Sequence, residues 1–219
     1  MIQVEKRFIT SNNQGKPNQN APYFIVVHDT DNHSKTANAE AHYRWLQDHE
    51  STGASAHVFV DDQRAIQVIP YTTPAWHTGK RYCASPKVSN CTNFNSIGVE
   101  FCVNEGSDLK ATLVHTAEVV RQIMQAYEIP IERVITHQMA SGKTCPRTFI
   151  EHPQTYSFFS SKLNNQSLYH PQATYAIHLL HEQGVIDTPE YWINRLDSIP
   201  YLDKLLVQFA EKLTATERK

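Results

Sequence analysis

The sequence has no long hydrophobic run, no block of one charge and few cysteines among its 219 residues. Its longest apolar stretches, such as Tyr23 to Val27, fall far short of the roughly 20 residues that a bilayer span needs. The opening MIQVEKRFIT lacks the continuous apolar stretch of a signal peptide, so the chain is expected to be made and folded in the cytoplasm without membrane insertion. Lys and Arg number 20 against 22 Asp and Glu, a formal charge of -2, and no basic cluster stands out. That balance argues against nucleic acid or an anionic membrane surface as the main partner. Four cysteines are too few for the disulfide framework of a small secreted scaffold, which leaves metal binding or catalysis as the question they raise. With 40% hydrophobic residues spread along the whole length, the chain is not disordered and can bury one core with a small appendage. Histidine, at 12 residues, is what it has in excess.

The first twenty residues end in a polar stretch, SNNQGKPNQN, which reads as a lead-in loop. The β-branched and aromatic run Tyr23 to Val27 then reads as a central strand that delivers His28 to a sheet edge. Thr36 to Glu50 places Ala39, Tyr43 and Leu46 at helical spacing, and Ala56 to Val60 with Arg64 to Ile69 reads as a hairpin around Asp61-Asp62-Gln63. Tyr71 to Asn95 is a long irregular stretch, and such loops inside compact domains commonly carry function. Ile97 to Val103 returns as a strand. After Ser107, read as an N-cap, Leu113, Ala117, Val120, Met124 and Tyr127 define the clearest amphipathic helix. Val134 to Thr136 is a short strand, and a closing helix is expected over Phe149 to Leu163.

These elements read as one α/β domain over residues 1–163. Residues 164–170 read as a linker, and 171–219 as a small all-α module. In that module Ala173, Ala176, Ile177 and Leu180 share one face, Gly184 ends the helix, and Leu202, Leu205, Leu206, Phe209 and Leu213 line another. So small a unit is marginal alone and is expected to pack on the first domain, on a ligand, or on its own copy in a homo-oligomer.

His28 and His137 each follow a short strand, and Cys145 lies eight residues beyond His137 in the turn-rich loop Ser141 to Pro146. Two His and one Cys supply three ligands for tetrahedral zinc and leave a fourth position open, as in catalytic rather than structural sites. Taken singly, each residue has a plainer reading, the histidines as hydrogen-bonded structural groups and the cysteine as a small buried hydrophobe.

Five ordered segments are more specific: Tyr23 to Thr30, Ala54 to Val58, Ala75-Trp76-His77-Thr78-Gly79, Asn95 to Glu100, and Thr136-His137 to Lys143-Thr144-Cys145-Pro146. Together they resemble the type 2 N-acetylmuramoyl-L-alanine amidases, a family of phage endolysins, bacterial autolysins and peptidoglycan recognition proteins. The resemblance implies a mixed central sheet flanked by helices, with Zn²⁺ bound by His28, His137 and Cys145 in a surface cleft and peptidoglycan as the substrate. It also implies that Glu100 is the acid/base glutamate and that the Lys143 ammonium stabilises the oxyanion. His77 and Trp76 in the loop, with Asn95 at its end, are the candidates for contacts with the substrate. Some relatives carry a tyrosine just before the histidine of the second strand and lack the glutamate; here Ala56 and Glu100 stand at those places, so Glu100 is the expected proton shuttle and His57 has no assigned role. Cys83 and Cys91 are left as free thiols, a local disulfide or part of a second metal site.

The function implied is zinc-dependent hydrolysis of the amide between N-acetylmuramic acid and L-alanine, in an endolysin that acts on the cell wall after release. An intracellular muropeptide-recycling amidase is a second possibility. A non-catalytic peptidoglycan-binding protein of the same fold is a third, against which the presence of Cys145, Glu100 and Lys143 together argues.

Overall fold

The computed structural model describes residues 2–79, 81–164, 171–193, 195–196 and 202–216, in two compact units, Met1–Leu163 and Asn164–Lys219. In the first unit a six-stranded sheet forms from β1 (Val4–Lys6), β2 (Phe24–Asp29), β3 (Val58–Val60), β4 (Ala65–Gln67), β5 (Ser96–Phe101) and β6 (Val134–Thr136), in the order β1-β4-β3-β5-β2-β6. β3 and β4 are antiparallel, and Asp61 closes their turn by accepting from the amides of Gln63 and Arg64. The other pairs are parallel, so the sheet is mixed, as expected. β1 lies ahead of the stretch read as a lead-in loop, in residues for which no element is expected from the sequence. Its Val-Glu-Lys buries little side chain and joins the sheet edge through backbone pairing, which leaves no hydrophobic pattern to read.

Strand side chains alternate between faces. Ile25 and Val27 of β2 and Ile97, Val99 and Phe101 of β5 share one core with Leu113, Ala117 and Val120 of helix α2. On the other face, Phe24 and Val26 pack in a separate cluster with Ile135 and Ala140. His28 follows them in alternation, opposite Glu100 of β5, whose Ser96 and Gly98 pair with Phe24 and Val26. The function-bearing residues of both strands therefore share the face turned away from α2.

Helix α1 spans Ala39–Asp48 and begins three residues later than its pattern suggests, because the Asn38 side chain accepts from the Ala41 amide. Its Ala39 and Leu46 pack with Phe59, Ile66 and Val68. Helix α2 spans Leu109–Ala126, and its N-cap is Asp108, which accepts from the amides of Lys110 and Ala111. Ser107, expected in that role, instead donates to the Asn104 carbonyl. Helix α3 (His137–Ser141) starts directly where β6 ends, followed by α4 (Arg147–Glu151) and α5 (Pro153–Asn164). The single closing helix expected is two helices broken at His152, since the residue before a proline is driven out of the helical region.

The second unit contains α6 (Pro171–Glu182), α7 (Pro189–Ile193) and α8 (Leu202–Thr216). Ala173, Ala176, Ile177 and Leu180 are buried with Leu202, Leu206 and Ala210. Gly184 follows α6 with φ +67°, a left-handed conformation that favours glycine. Leu205 and Phe209, grouped by periodicity with the core stripe of α8, are instead 63% and 47% exposed, because the buried stripe is narrower than the run of apolar residues. The expected linker lies, from residue 165 to 170, outside the described residues. Among the described residues no helix is long and apolar enough to cross a membrane.

The packing of α2 on the sheet sets a testable scale. Leu113→Ala is expected to lower the unfolding free energy by about 2–5 kcal/mol and Asp108→Ala by about 1 kcal/mol, measured by urea denaturation followed by circular dichroism. Equal small losses from both would mean that this face of α2 is not a core contact.

Candidate metal centre and cleft

β2 and β6 are neighbours, which places His28, inside β2, beside His137, the first residue of α3. The Thr136 side chain caps α3 by accepting from the Met139 amide, which holds His137 at the start of the helix. Gly142 then takes φ +83°, a left-handed turn that reverses the chain, and the Gln138 amide donates to the Cys145 carbonyl. The result is that His28, His137 and Cys145, all buried, bring one ligand atom each to within 4.8 Å of one another. His28 Nδ1 lies 3.6 Å from Cys145 Sγ and 4.0 Å from Glu100 Oε1. Neither nitrogen of His137 has a hydrogen-bond partner, and neither does Glu100 Oε2. Buried polar atoms are seldom left so. Two imidazoles, one thiol and unpaired lone pairs turned to a common point form a donor set suited to zinc.

A cleft of about 520 Å³ opens over this group, lined by Trp76, His77, Tyr82, Asn93, His137 and Lys143. A second, smaller cavity of about 170 Å³ reaches His28 and Glu100 and is walled on the α1 side by His42 and Trp45. Lys143 lines both and is exposed, so its ammonium can approach a molecule in the cleft. Trp76 lines both as well, its backbone held by a reciprocal pair of hydrogen bonds with Ser55.

Of the residues expected to contact substrate, one lies away from the cavities and one turns its polar atoms elsewhere. Asn95 does not line these cavities: its Oδ1 accepts from the Thr92 amide and its Nδ2 donates to the Asn90 carbonyl, closing a turn before β5. Asn93 lines the cleft instead, and its Oδ1 accepts from the amides of His77 and Thr78. His77 borders the cleft, but its ring is buried and both nitrogens are engaged, Nδ1 at 3.1 Å from His28 Nε2 and Nε2 at 3.2 Å from Ser96 Oγ. Its polar atoms therefore meet His28 and Ser96.

Sequence reasoning also missed several supports. Asp29 Oδ2 accepts from both the amide and the hydroxyl of Thr148 at 2.7 Å, tying the start of α4 to the end of β2. The Asp29 amide donates to the sulfur of Cys145. His57, without an assigned role, accepts from the Gly98 amide through Nδ1 and bonds the Thr73 carbonyl through Nε2, so it is a structural residue under the site. His42 stacks on Phe59 with ring centroids 5.1 Å apart. Cys83 and Cys91 are both free thiols.

Burial dominates the electrostatics. It drives the pKa values of His28 and His77 well below 6.5, with repulsion from neighbouring imidazoles adding to it, and lowers His57 and His137 to about 4. Burial also raises the Glu100 carboxyl well above its ordinary range; the Asp29 charge acts in the same direction and the Lys143 ammonium against it. The Cys145 thiol is raised by burial and by the charges of Glu100 and Asp29, against the amide that Asp29 donates.

The family model described as N-acetylmuramoyl-L-alanine amidase matches residues 18–148. Among curated relatives, the N-acetylmuramoyl-L-alanine amidase CwlH of Bacillus subtilis is 33% identical over 153 residues, 69% of this chain and 58% of CwlH. The chain thus spans under two thirds of that relative's length. Among solved structures, a mutant endolysin from Bacillus subtilis superposes with a TM-score of 0.63 at 29% identity, covering 74% of this chain and 99% of that one. The catalytic domain of XlyA superposes with a TM-score of 0.62 at 28% identity, covering 74% of this chain and 100% of that domain.

The neutral histidines predict a definite response to acid. Each holds its pKa below 6.5 in the fold, so unfolding takes up protons as the pH falls from about 6.5 towards 4. Stability is expected to be full above about pH 6.5 and to decline below it, with His57 alone contributing on the order of 3 kcal/mol. Urea denaturation of the metal-free protein between pH 7.5 and 4.5 measures this, and His57→Gln is expected to flatten the decline. A stability independent of pH across that window would show that these imidazoles titrate in the fold as they do in the unfolded chain.

Proposed function

We propose that this chain, which belongs to the N-acetylmuramoyl-L-alanine amidase family, hydrolyses the amide between the lactyl group of N-acetylmuramic acid and the first L-alanine of the peptidoglycan stem peptide. The observation that carries this reading is the convergence of His28, His137 and Cys145 beside Glu100 on one face of the sheet, under a cleft that Lys143 borders. The three ligands would hold zinc and leave a fourth position for water or substrate. Zinc held there supplies a Lewis acid that lowers the pKa of water towards neutrality and polarises a carbonyl.

The chain's own groups do the rest. Glu100 takes a proton from the attacking water as its oxygen bonds to the lactyl carbonyl carbon, then gives that proton to the alanine nitrogen as the C–N bond breaks. The products are a lactyl carboxylate and a free alanine amine. A carboxyl whose pKa is raised by burial suits the second half of that exchange, because it holds the proton until the amine departs. Lys143 presents a fixed positive charge to the oxyanion that develops between the two steps. Trp45 and Phe59 give the inner cavity apolar walls.

Likeness to a Bacillus subtilis endolysin supports a role in lysis of the cell wall. For the helical unit from Asn164 to Lys219 the reading is attachment to the wall, in keeping with the exposed Tyr175 and Tyr191 on its surface.

The test is release of amino groups from purified peptidoglycan without new reducing sugar. Glu100→Gln is expected to lower kcat by about 10²–10⁴-fold, and Lys143→Met by about 10²–10³-fold. A chelator is expected to abolish turnover and added Zn²⁺ to restore it. Reducing sugar in place of amino groups, or full activity in Glu100→Gln, would sink the assignment.

A further inference from the structure

His28, His77 and Ser96 form a hydrogen-bonded chain that ends on a backbone carbonyl, and the chain has a direction. Ser96 donates its one hydroxyl proton to the Thr92 carbonyl at 2.5 Å. At its second partner, His77 Nε2, the serine oxygen can therefore only accept. His77 must then carry its proton on Nε2, which leaves Nδ1 as the lone pair facing His28 Nε2. A neutral His28 meets that lone pair with its proton on Nε2. Its Nδ1 is left bare, and Nδ1 is the nitrogen turned to Cys145 Sγ and Glu100.

We propose that His77 and Ser96 are positioning residues that set the tautomer and ring plane of His28, so that Nδ1 is presented to the metal. The proposal rests on the zinc reading above and deepens it. Metal-bound histidines usually donate their other N–H to a carboxylate, a carbonyl or water; here a second imidazole, itself fixed by a serine, takes that place.

The surroundings hold the chain in one arrangement. Asn93 clamps the backbone of His77 and Thr78 from the cleft side. Behind the ring, a Cβ built on Gly98 would lie 2.8 Å from Cγ of His77, so only glycine leaves the imidazole its place. His57 packs edge to face on His77 with centroids 5.7 Å apart, and its own nitrogens are committed to backbone partners, so it does not compete for the chain. Three successive inward positions of β5 thus have separate tasks: Ser96 directs the proton order, Gly98 makes room and Glu100 faces the metal ligands.

The test uses the full chain and two readouts besides activity. Nitrogen-15 NMR of the metal-free wild type is expected to show Nε2–H on both His28 and His77. Zinc affinity, measured by competition with a chromophoric chelator, is expected to weaken about 10–100-fold in His77→Phe, which keeps a ring but removes the acceptor. His77→Asn, which restores an acceptor close to the Nδ1 position, is expected to recover part of that loss. Ser96→Ala is expected to give a mixture of His77 tautomers, with the metal-free melting temperature within a few degrees of wild type. An Nδ1–H signal on His28, or unchanged zinc affinity in both His77→Phe and Ser96→Ala, would overturn the relay while leaving the zinc reading intact. A wild type that binds no zinc would overturn the zinc reading instead, and the metal-free spectrum would still decide the proton order.

Discussion

The register of β2 against β5 is the constraint on which the site depends. The strands run parallel with Val27 opposite Val99 and His28 opposite Glu100. Side chains alternate along a strand, so this register sends Ile25, Val27, Ile97, Val99 and Phe101 into the α2 core and leaves His28, Ser96, Gly98 and Glu100 on the opposite face. A slip of one residue in β5 would exchange the two sets, burying a carboxylate among leucine and valine and putting Val99 beside His28. The apolar half of each strand thereby enforces the chemistry of the polar half. A third strand, β6, docks on the free edge of β2 and delivers His137.

Such a site is expensive to maintain. Glu100 Oε2 and both nitrogens of His137 are buried without partners, and a thiol and a carboxyl stand close together in surroundings that disfavour their charge. Each unpaired buried group costs about 1–3 kcal/mol, which the cores on either face of the sheet must offset. A cation among His28, His137 and Cys145 would answer one of the two orphaned His137 nitrogens and the thiol together. The histidines farther in behave differently: His57 and His77 have every polar atom engaged, so they stiffen the floor of the cleft.

Loops complete the arrangement through short polar anchors. Asp29, one residue after His28, grips Thr148 with its carboxylate and the Cys145 sulfur with its amide, so one residue ties the end of β2 to Cys145. Asn93 fixes His77 in the same way from the long loop. Tyr82 joins that loop to the α3 side by donating its amide to the Ser141 carbonyl. Each anchor joins segments far apart in sequence, which no local pattern can announce.

Much was legible from the chain alone. The apolar run at Tyr23 to Val27, the hairpin about Asp61 and the stripe of α2 follow from periodicities of two and 3.6, which are local properties of a backbone. The residue types His28, His137, Cys145 and Glu100 were legible too, because few side chains can ligate a metal or move a proton. The rest was decided by contacts between segments. β1 and the break at His152 escaped notice because edge pairing and the clash before a proline leave almost no hydrophobic signal. Asn95 and His77 read as substrate contacts from their motifs; the Asn95 side chain closes a turn, and His77 borders the cleft with its ring nitrogens bonded to His28 and Ser96. Sequence determined which chemistry the chain can perform, since that depends on the atoms each residue carries. Tertiary structure decided which atoms face the reaction and which face one another, since a hydrogen-bond partner is chosen by distance in space.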